Sequence, residues 1–141
     1  MGVPPKFPPS GAKLVTSSQD GSVSSLESLQ VVNKDLLNES CGGDLEFAKE
    51  LFGDLSLRAH QLQEEIHSAC SENNSERLRK AAHELKGSSL TLGAERVGHV
   101  SRELEDLGRK ANLEGSSEWL PRLDSELETL WKHVQAEGLQ A

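Results

Sequence analysis

Between Asp44 and Ser71 the apolar residues Leu45, Ala48, Leu51, Phe52, Leu55, Ala59, Leu62, Ile66 and Ala69 recur at steps of three and four. That period places them on one face of an α-helix, and a helix with a single apolar face is stable only when it packs against others. Asp44 supplies an oxygen suited to capping the first turn, and Ser71-Glu72-Asn73-Asn74 ends the pattern. A long amphipathic helix at this position directs the rest of the chain toward a helical bundle.

The remaining stripes agree. Leu78, Ala81, Ala82, Leu85, Ser89 and Leu92 define a second helix, introduced by Asn73 and Glu76 as a capping pair and closed at Leu92 with Gly93 in the turn. Val97, Val100, Leu104, Leu107 and Ala111 define a third. After the polar turn Asn112-Leu113-Glu114-Gly115-Ser116-Ser117 comes a fourth, striped by Leu120, Leu123, Leu127, Leu130, Trp131 and Val134, with Pro121 expected in its first turn. Upstream, Leu26, Leu29, Val32 and Leu36 mark a short helical segment ending before Gly42-Gly43. Four amphipathic helices joined by short turns predict an all-α, antiparallel up-down four-helix bundle, with the N-terminal segment covering one end. The domain spans residues 26–141, with its core at about 44–137. Residues 1–25 hold four Pro, six Ser and three Gly and are expected to be a disordered tail or linker. Pro5-Lys6-Phe7-Pro8 matches a PxxP ligand pattern, but in such a setting it reads as a spacer.

Composition narrows the function. Aromatic residues make up only 4% of the chain, so the core is aliphatic, and a net charge of −8 argues against nucleic acid or anionic membrane as a partner. Cys41 and Cys70 lack paired spacing, and neither a signal peptide nor a membrane-length apolar run stands out. The expected address is the cytoplasm, or the nucleus as well in a eukaryotic cell, and the expected state is a monomer.

His83 lies on the second helix, about 160° from the centre of its apolar stripe at roughly 100° per residue. Its imidazole should therefore face solvent. Gly87 and Leu90 follow along nearly the same line, Lys86 and Arg79 flank it, and with Arg77 and Lys80 they form a basic patch on an otherwise acidic protein. A neutral imidazole, with an ordinary pKa of about 6.5, is a competent nucleophile near neutrality. A lysine one turn away would favour an anionic group on the ring. Glycine inside a helix costs about 1 kcal/mol relative to alanine, and the simplest reason for Gly87 is close approach by another protein's backbone. Ser88 and Ser89 are expected to bond the carbonyls one turn back within a packed helix.

The run His83-Glu84-Leu85-Lys86-Gly87-Ser88-Ser89-Leu90-Thr91-Leu92-Gly93-Ala94 resembles the signature of histidine-containing phosphotransfer (HPt) domains. In that family a bundle helix carries the His, a Lys three residues on, a Gly four on, then small residues and a Gly-Ala that begins the next helix. Leu85, Ser88 and Gly93 match as well, and Leu104-Glu105 and Asn112-Leu113-Glu114-Gly115 have a family look. The resemblance, over about residues 30–137, implies a phosphocarrier of two-component phosphorelays rather than an enzyme. His83 would take a phosphoryl group from a receiver-domain phospho-aspartate and give it to another receiver. Lys86 would assist the phosphoryl charge, and Gly87, Leu90, Arg79 and Lys80 would form the docking surface. The partners would be response-regulator receivers and hybrid sensor kinases, with Mg²⁺ held by the receiver and no cofactor of its own.

Two other readings compete. A di-metal bundle would use Glu-x-x-His motifs on two helices, and Glu64-Glu65-Ile66-His67 supplies one, but Glu64 falls opposite the inward-facing Leu62 and Ile66 and no second motif exists. No metal is expected. A helical adaptor, or a degenerate HPt that binds receivers or kinases without chemistry, is the alternative of a different class.

Overall fold

The computed structural model describes residues 28–139, and all regular structure among them is helical. The elements are α1 (Lys34–Cys41), α2 (Leu45–Ser71), α3 (Ser75–Thr91), α4 (Glu95–Arg109) and α5 (Ser116–Ala136). Helices α2 to α5 form the expected antiparallel four-helix bundle, each beside the next and α5 returning to α2, while α1 lies against α2 and α3 at one end. The tail at residues 1–25 and its PxxP pattern lie outside the described residues, as does Leu26.

Local chemistry sets the helix starts. Asn33 accepts from the amides of Asp35 and Leu36, Asp44 from Phe47, and Asn74 from Arg77. Each side-chain oxygen satisfies first-turn donors that have no partner within the helix. The cap of α3 is thus Asn74 and not the predicted Asn73, because Asn73 takes a left-handed φ of 55° that terminates α2. Asparagine tolerates that conformation better than most residues do. At the other end α3 stops at Thr91, Leu92 caps it, and Gly93 turns the chain at φ 76°. A β-carbon on Gly93 would collide with the Asn33 carbonyl, so the tight crossing of the residues before α1 over the α3–α4 turn requires glycine. That crossing is fastened by Asn33 N to Gly93 O at 2.6 Å and by the Asn33 amide to Glu95 Oε2 at 2.7 Å.

The core follows the stripes. Phe52, Ile66, Leu78, Leu85, Leu104, Leu123 and Leu130 are fully buried, with alanines filling the gaps where helices approach closely. Four assignments differ. Leu45 is 53% exposed, because at that level only α1 and the residues after α5 stand beside it. Ala111 lies beyond α4, exposed and at φ 54°, so it forms the turn and not the stripe. Helix α5 begins four residues before the predicted first apolar position, so Trp119 is buried and Pro121 sits past the first turn on the exposed side, costing one helical hydrogen bond. In α1 the buried residues are Leu37 and Cys41, with Leu36 only half-buried.

The closest packing is between α3 and α4. A β-carbon at Gly108 would stand 2.7 Å from both the Arg79 amide nitrogen and the Ser75 carbonyl oxygen, so this glycine lets the end of α4 lie directly on the backbone of α3. That approach brings the outer edge of α4 level with His83.

Candidate functional site

His83 faces solvent with its side chain 64% exposed, while Leu85 two residues on is fully buried. The His83 ring is paired across the α3–α4 seam. Its Nδ1 lies 2.9 Å from Oε2 of Glu105, which reaches across from α4 and is only 4% exposed. Two cations share the same carboxylate: Lys86 Nζ is 2.7 Å from Oε1 and Arg109 Nη2 is 3.0 Å from Oε2. Lys86 approaches Oε1 off the favoured hydrogen-bond direction, so that contact is chiefly an ion pair. Burial alone would raise the Glu105 carboxyl, but the contacts and charges of Lys86 and His83 outweigh it and hold the group below the usual carboxylate range. An ionised carboxylate can only accept a hydrogen bond. A proton on Nδ1 satisfies that contact, and the Nε2 edge of the ring is then directed away from Glu105.

Lys86 is accordingly not the exposed point charge expected from its spacing. Its side chain is 24% exposed and is drawn toward α4. The basic patch also dissolves in part: Arg77 turns to Glu65 and Glu72, both at 2.6 Å, and Arg79 pairs with Glu76 at 2.7 Å. A helix in an acidic protein finds acidic neighbours, and helical spacing does not reveal which way long side chains turn. Lys80 is exposed but points along the α2 flank, where it lines a polar groove with Arg58, Glu65, Arg77 and Glu84. Arg79 and Lys80 thus sit on opposite sides of the His83 line.

Gly87 is exposed, and a β-carbon placed on it would meet nothing within 4 Å. Nothing among the described residues requires a glycine there. Leu90 is 40% exposed and leans over Gly98 of α4, whose missing side chain makes room for it. Ser88 is half-buried and lines a shallow apolar groove with Leu51, Asp54, Leu55, Arg58 and Thr91. The back-bonding expected of the serines is made by Thr91 Oγ1, 2.9 Å from the Gly87 carbonyl, whereas Ser89 Oγ is buried without a partner. Beside the histidine, Glu84 is gripped by Arg58 of α2 through two bonds of 2.5 and 2.7 Å.

Glu105 is the functional residue that spacing did not single out. The signal was present: it is an acidic residue next to Leu104 on the buried side of a stripe, where a carboxylate is rare unless paired. The other histidines occupy the boundary. His67 bonds Asp124 at 2.8 Å, His60 stacks on Trp131 at 6.3 Å, and His99 meets Trp119 edge-on at 6.0 Å, its pKa lowered by burial. Glu64 is exposed, and no group of three potential metal ligands comes together among the described residues.

An imidazole paired with a buried carboxylate on the outside of a bundle is open to a group that another macromolecule presents to it. That defines a class of carrier proteins. A family model for the Hpt domain matches residues 35–133, well over half of the chain, and the chain belongs to that family. It therefore falls among the histidine phosphotransfer carriers of two-component phosphorelays, which are not enzymes in their own right. The fold is similar to the crystal structure of histidine-containing phosphotransfer protein B from Pseudomonas aeruginosa PAO1, with a TM-score of 0.71 and 20% identity over 76% of this chain and 93% of that one. No curated protein matches the sequence. No helix among the described residues is long and apolar enough to cross a membrane.

Proposed function

We propose that His83 is the phosphoryl acceptor and donor of a relay, taking the group on Nε2 from the phospho-aspartate of one receiver domain and passing it to the aspartate of another. The observation that carries this reading is the exposed ring with Nδ1 fixed on an ionised, buried carboxylate at 2.9 Å. Such a ring needs no further base, because Nε2 already holds its lone pair toward solvent. The protein contributes the nucleophile and its orientation; Mg²⁺ and the aspartate that clamp the transferring group are the receiver's. Lys86, one helical turn from the ring, supports the phosphoryl charge from its position on Glu105.

The docking surface extends from the His83 line toward α2. Open space at Gly87 admits a partner backbone, exposed Leu90 offers an apolar contact, and the groove of Leu51, Asp54, Arg58, Ser88 and Thr91 supplies the α2 side. Lys80 and Arg79 border this surface with cations suited to an acidic receiver face. Response-regulator receivers and hybrid sensor kinases are the partner class, met transiently by a monomer with no cofactor of its own.

The experiment is transfer from a panel of phosphorylated receivers. Label should arrive from a phosphorylated receiver and not from ATP alone, should be acid-labile and alkali-stable, and should be lost in a folded His83→Gln variant. Labelling that survives in His83→Gln moves the site elsewhere. A folded native protein that binds receivers yet takes no label is an adaptor.

A further inference from the structure

We propose that the Arg58–Glu84 bridge sets the charge an approaching receiver meets beside His83: Arg58 cancels the carboxylate next to the nucleophile and so admits an anionic partner. The inference rests on His83 being the phosphoacceptor and adds to that reading a residue of α2 that tunes how fast a receiver docks.

Glu84 follows His83 directly in α3, and its side chain is 43% exposed and engaged with α2. Left alone, it would place a negative charge next to an imidazole that has to accept an anionic phosphoryl group. The bridge removes that charge. Arg58 Nε donates to Glu84 Oε2 at 2.5 Å and Nη2 donates to Oε1 at 2.7 Å, a two-pronged grip that orients both groups. Arg58 Nη1 also donates to Gln61 Oε1 at 2.9 Å, which ties the guanidinium to its own helix. These bonds and the charge of Arg58 hold the Glu84 carboxyl below the usual carboxylate range, so it stays ionised near neutrality. Other cations around the ring are engaged elsewhere: Lys86 and Arg109 with Glu105, Arg79 with Glu76, and Arg77 with Glu65 and Glu72. Lys80 lies one turn before Glu84, in the weaker orientation for a helical pair, and the carboxylate turns to Arg58 instead.

Position makes the bridge more than a tie between helices. Arg58 lines both the apolar groove with Ser88 and Thr91 and the polar groove with Lys80 and Glu84, so the pair stands between the two. A receiver seated on the His83 line and the α2 side covers it. An exposed ion pair contributes little to stability, whereas a charge at the rim of an interface changes the association rate and its salt dependence. The further acids around this guanidinium are Asp54, one turn before it in the apolar groove, and Glu65 in the polar one. Loss of Arg58 therefore leaves an acidic rim on a protein whose net charge is already −8.

The test measures phosphoryl transfer from a receiver that labels the native full-length protein, at low and at high salt, in Arg58→Gln, Glu84→Gln and the double variant. All three lack the bridge, so a bridge that merely ties α2 to α3 affects them alike. A charge role separates them by sign. At low salt Arg58→Gln, which bares the carboxylate, should lose roughly several-fold in second-order rate, Glu84→Gln, which bares the cation, should gain, and the double variant should recover most of the loss. The changes should lie in the second-order rate and not in the rate at saturating receiver, and high salt should shrink them. Equal rates in the three variants, or no gain in Glu84→Gln, overturn the inference and leave the carrier reading intact. If Arg58→Gln does not fold, Glu84→Gln decides alone, because a merely structural bridge gives no gain when it is broken. A native protein that takes label from no phosphorylated receiver overturns the carrier reading, and this inference with it.

Discussion

Lys86 and Glu105 are joined across the α3–α4 seam, Nζ to Oε1 at 2.7 Å, with side chains 24% and 4% exposed. The lysine that spacing would place beside a phosphoryl group on His83 is therefore also one of two cations in contact with the histidine's carboxylate partner, and it helps to hold that carboxyl below its usual range. Lys86→Ala should slow transfer or shorten the phosphohistidine lifetime by roughly several-fold, since a partly exposed charge contributes about 1 kcal/mol or less and 1.4 kcal/mol is tenfold. Added salt should narrow the gap only in part, because the pair is largely buried. Transfer rates at low and high salt check this. Complete inactivity of a folded variant would mean that the lysine fixes the receiver's geometry.

Gly87 and Gly108 are both helical glycines with opposite surroundings. At Gly87 a side chain meets open space, so Gly87→Gln should preserve or raise stability, by up to about 1 kcal/mol from helix propensity. The same side chain should obstruct an approaching receiver and depress transfer. Thermal melts and transfer assays on one preparation should move in opposite directions, and normal transfer would remove Gly87 from the docking surface.

At Gly108 the added methyl would press on the Arg79 amide and the Ser75 carbonyl, both backbone atoms that cannot rotate away. Gly108→Ala should lower stability by about 1–3 kcal/mol in spite of alanine's better helix propensity. Because the shift would draw α4 away from α3, the His83 to Glu105 bond should lengthen as well. Urea denaturation gives the first effect, and the imidazole ¹⁵N shifts of the unphosphorylated protein give the second. An unchanged midpoint would show that the seam tolerates expansion.

The Glu105 carboxyl also links stability to acid. Its folded value lies below the ordinary one, so its contribution is fully present above the unfolded carboxyl range, near pH 4.3, and is lost as pH falls through the folded value. Native protein should therefore lose stability on acidification more steeply than Glu105→Gln. The two should differ most near neutrality and converge in strong acid. Urea midpoints across that pH range check it, and parallel curves would show that Glu105 does not titrate with folding.

The periodicity of apolar residues fixed the four long helices and their bundle, because burying a stripe is a one-dimensional property of the chain. The exposure of His83 followed from the same period, as did the turn at Gly93 from its residue type. Helix ends were less legible: Asn73 and Asn74 are both competent caps, and only the left-handed turn at Asn73 decides between them. That Glu105 is buried and needs a partner could be read from its place beside Leu104, but that the partner is His83 could not. Glu105 lies on another helix, and its arrival at Nδ1 depends on how closely α4 can approach α3, which the space at Gly108 sets. The directions taken by Arg77 and Lys86 were likewise decided by acids on neighbouring elements, Glu65 of α2 and Glu105 of α4. Sequence by itself determined which face each residue occupies, since that depends on backbone period alone. The tertiary structure decided which charges meet across faces, since long side chains turn toward whatever partner the packing brings within reach.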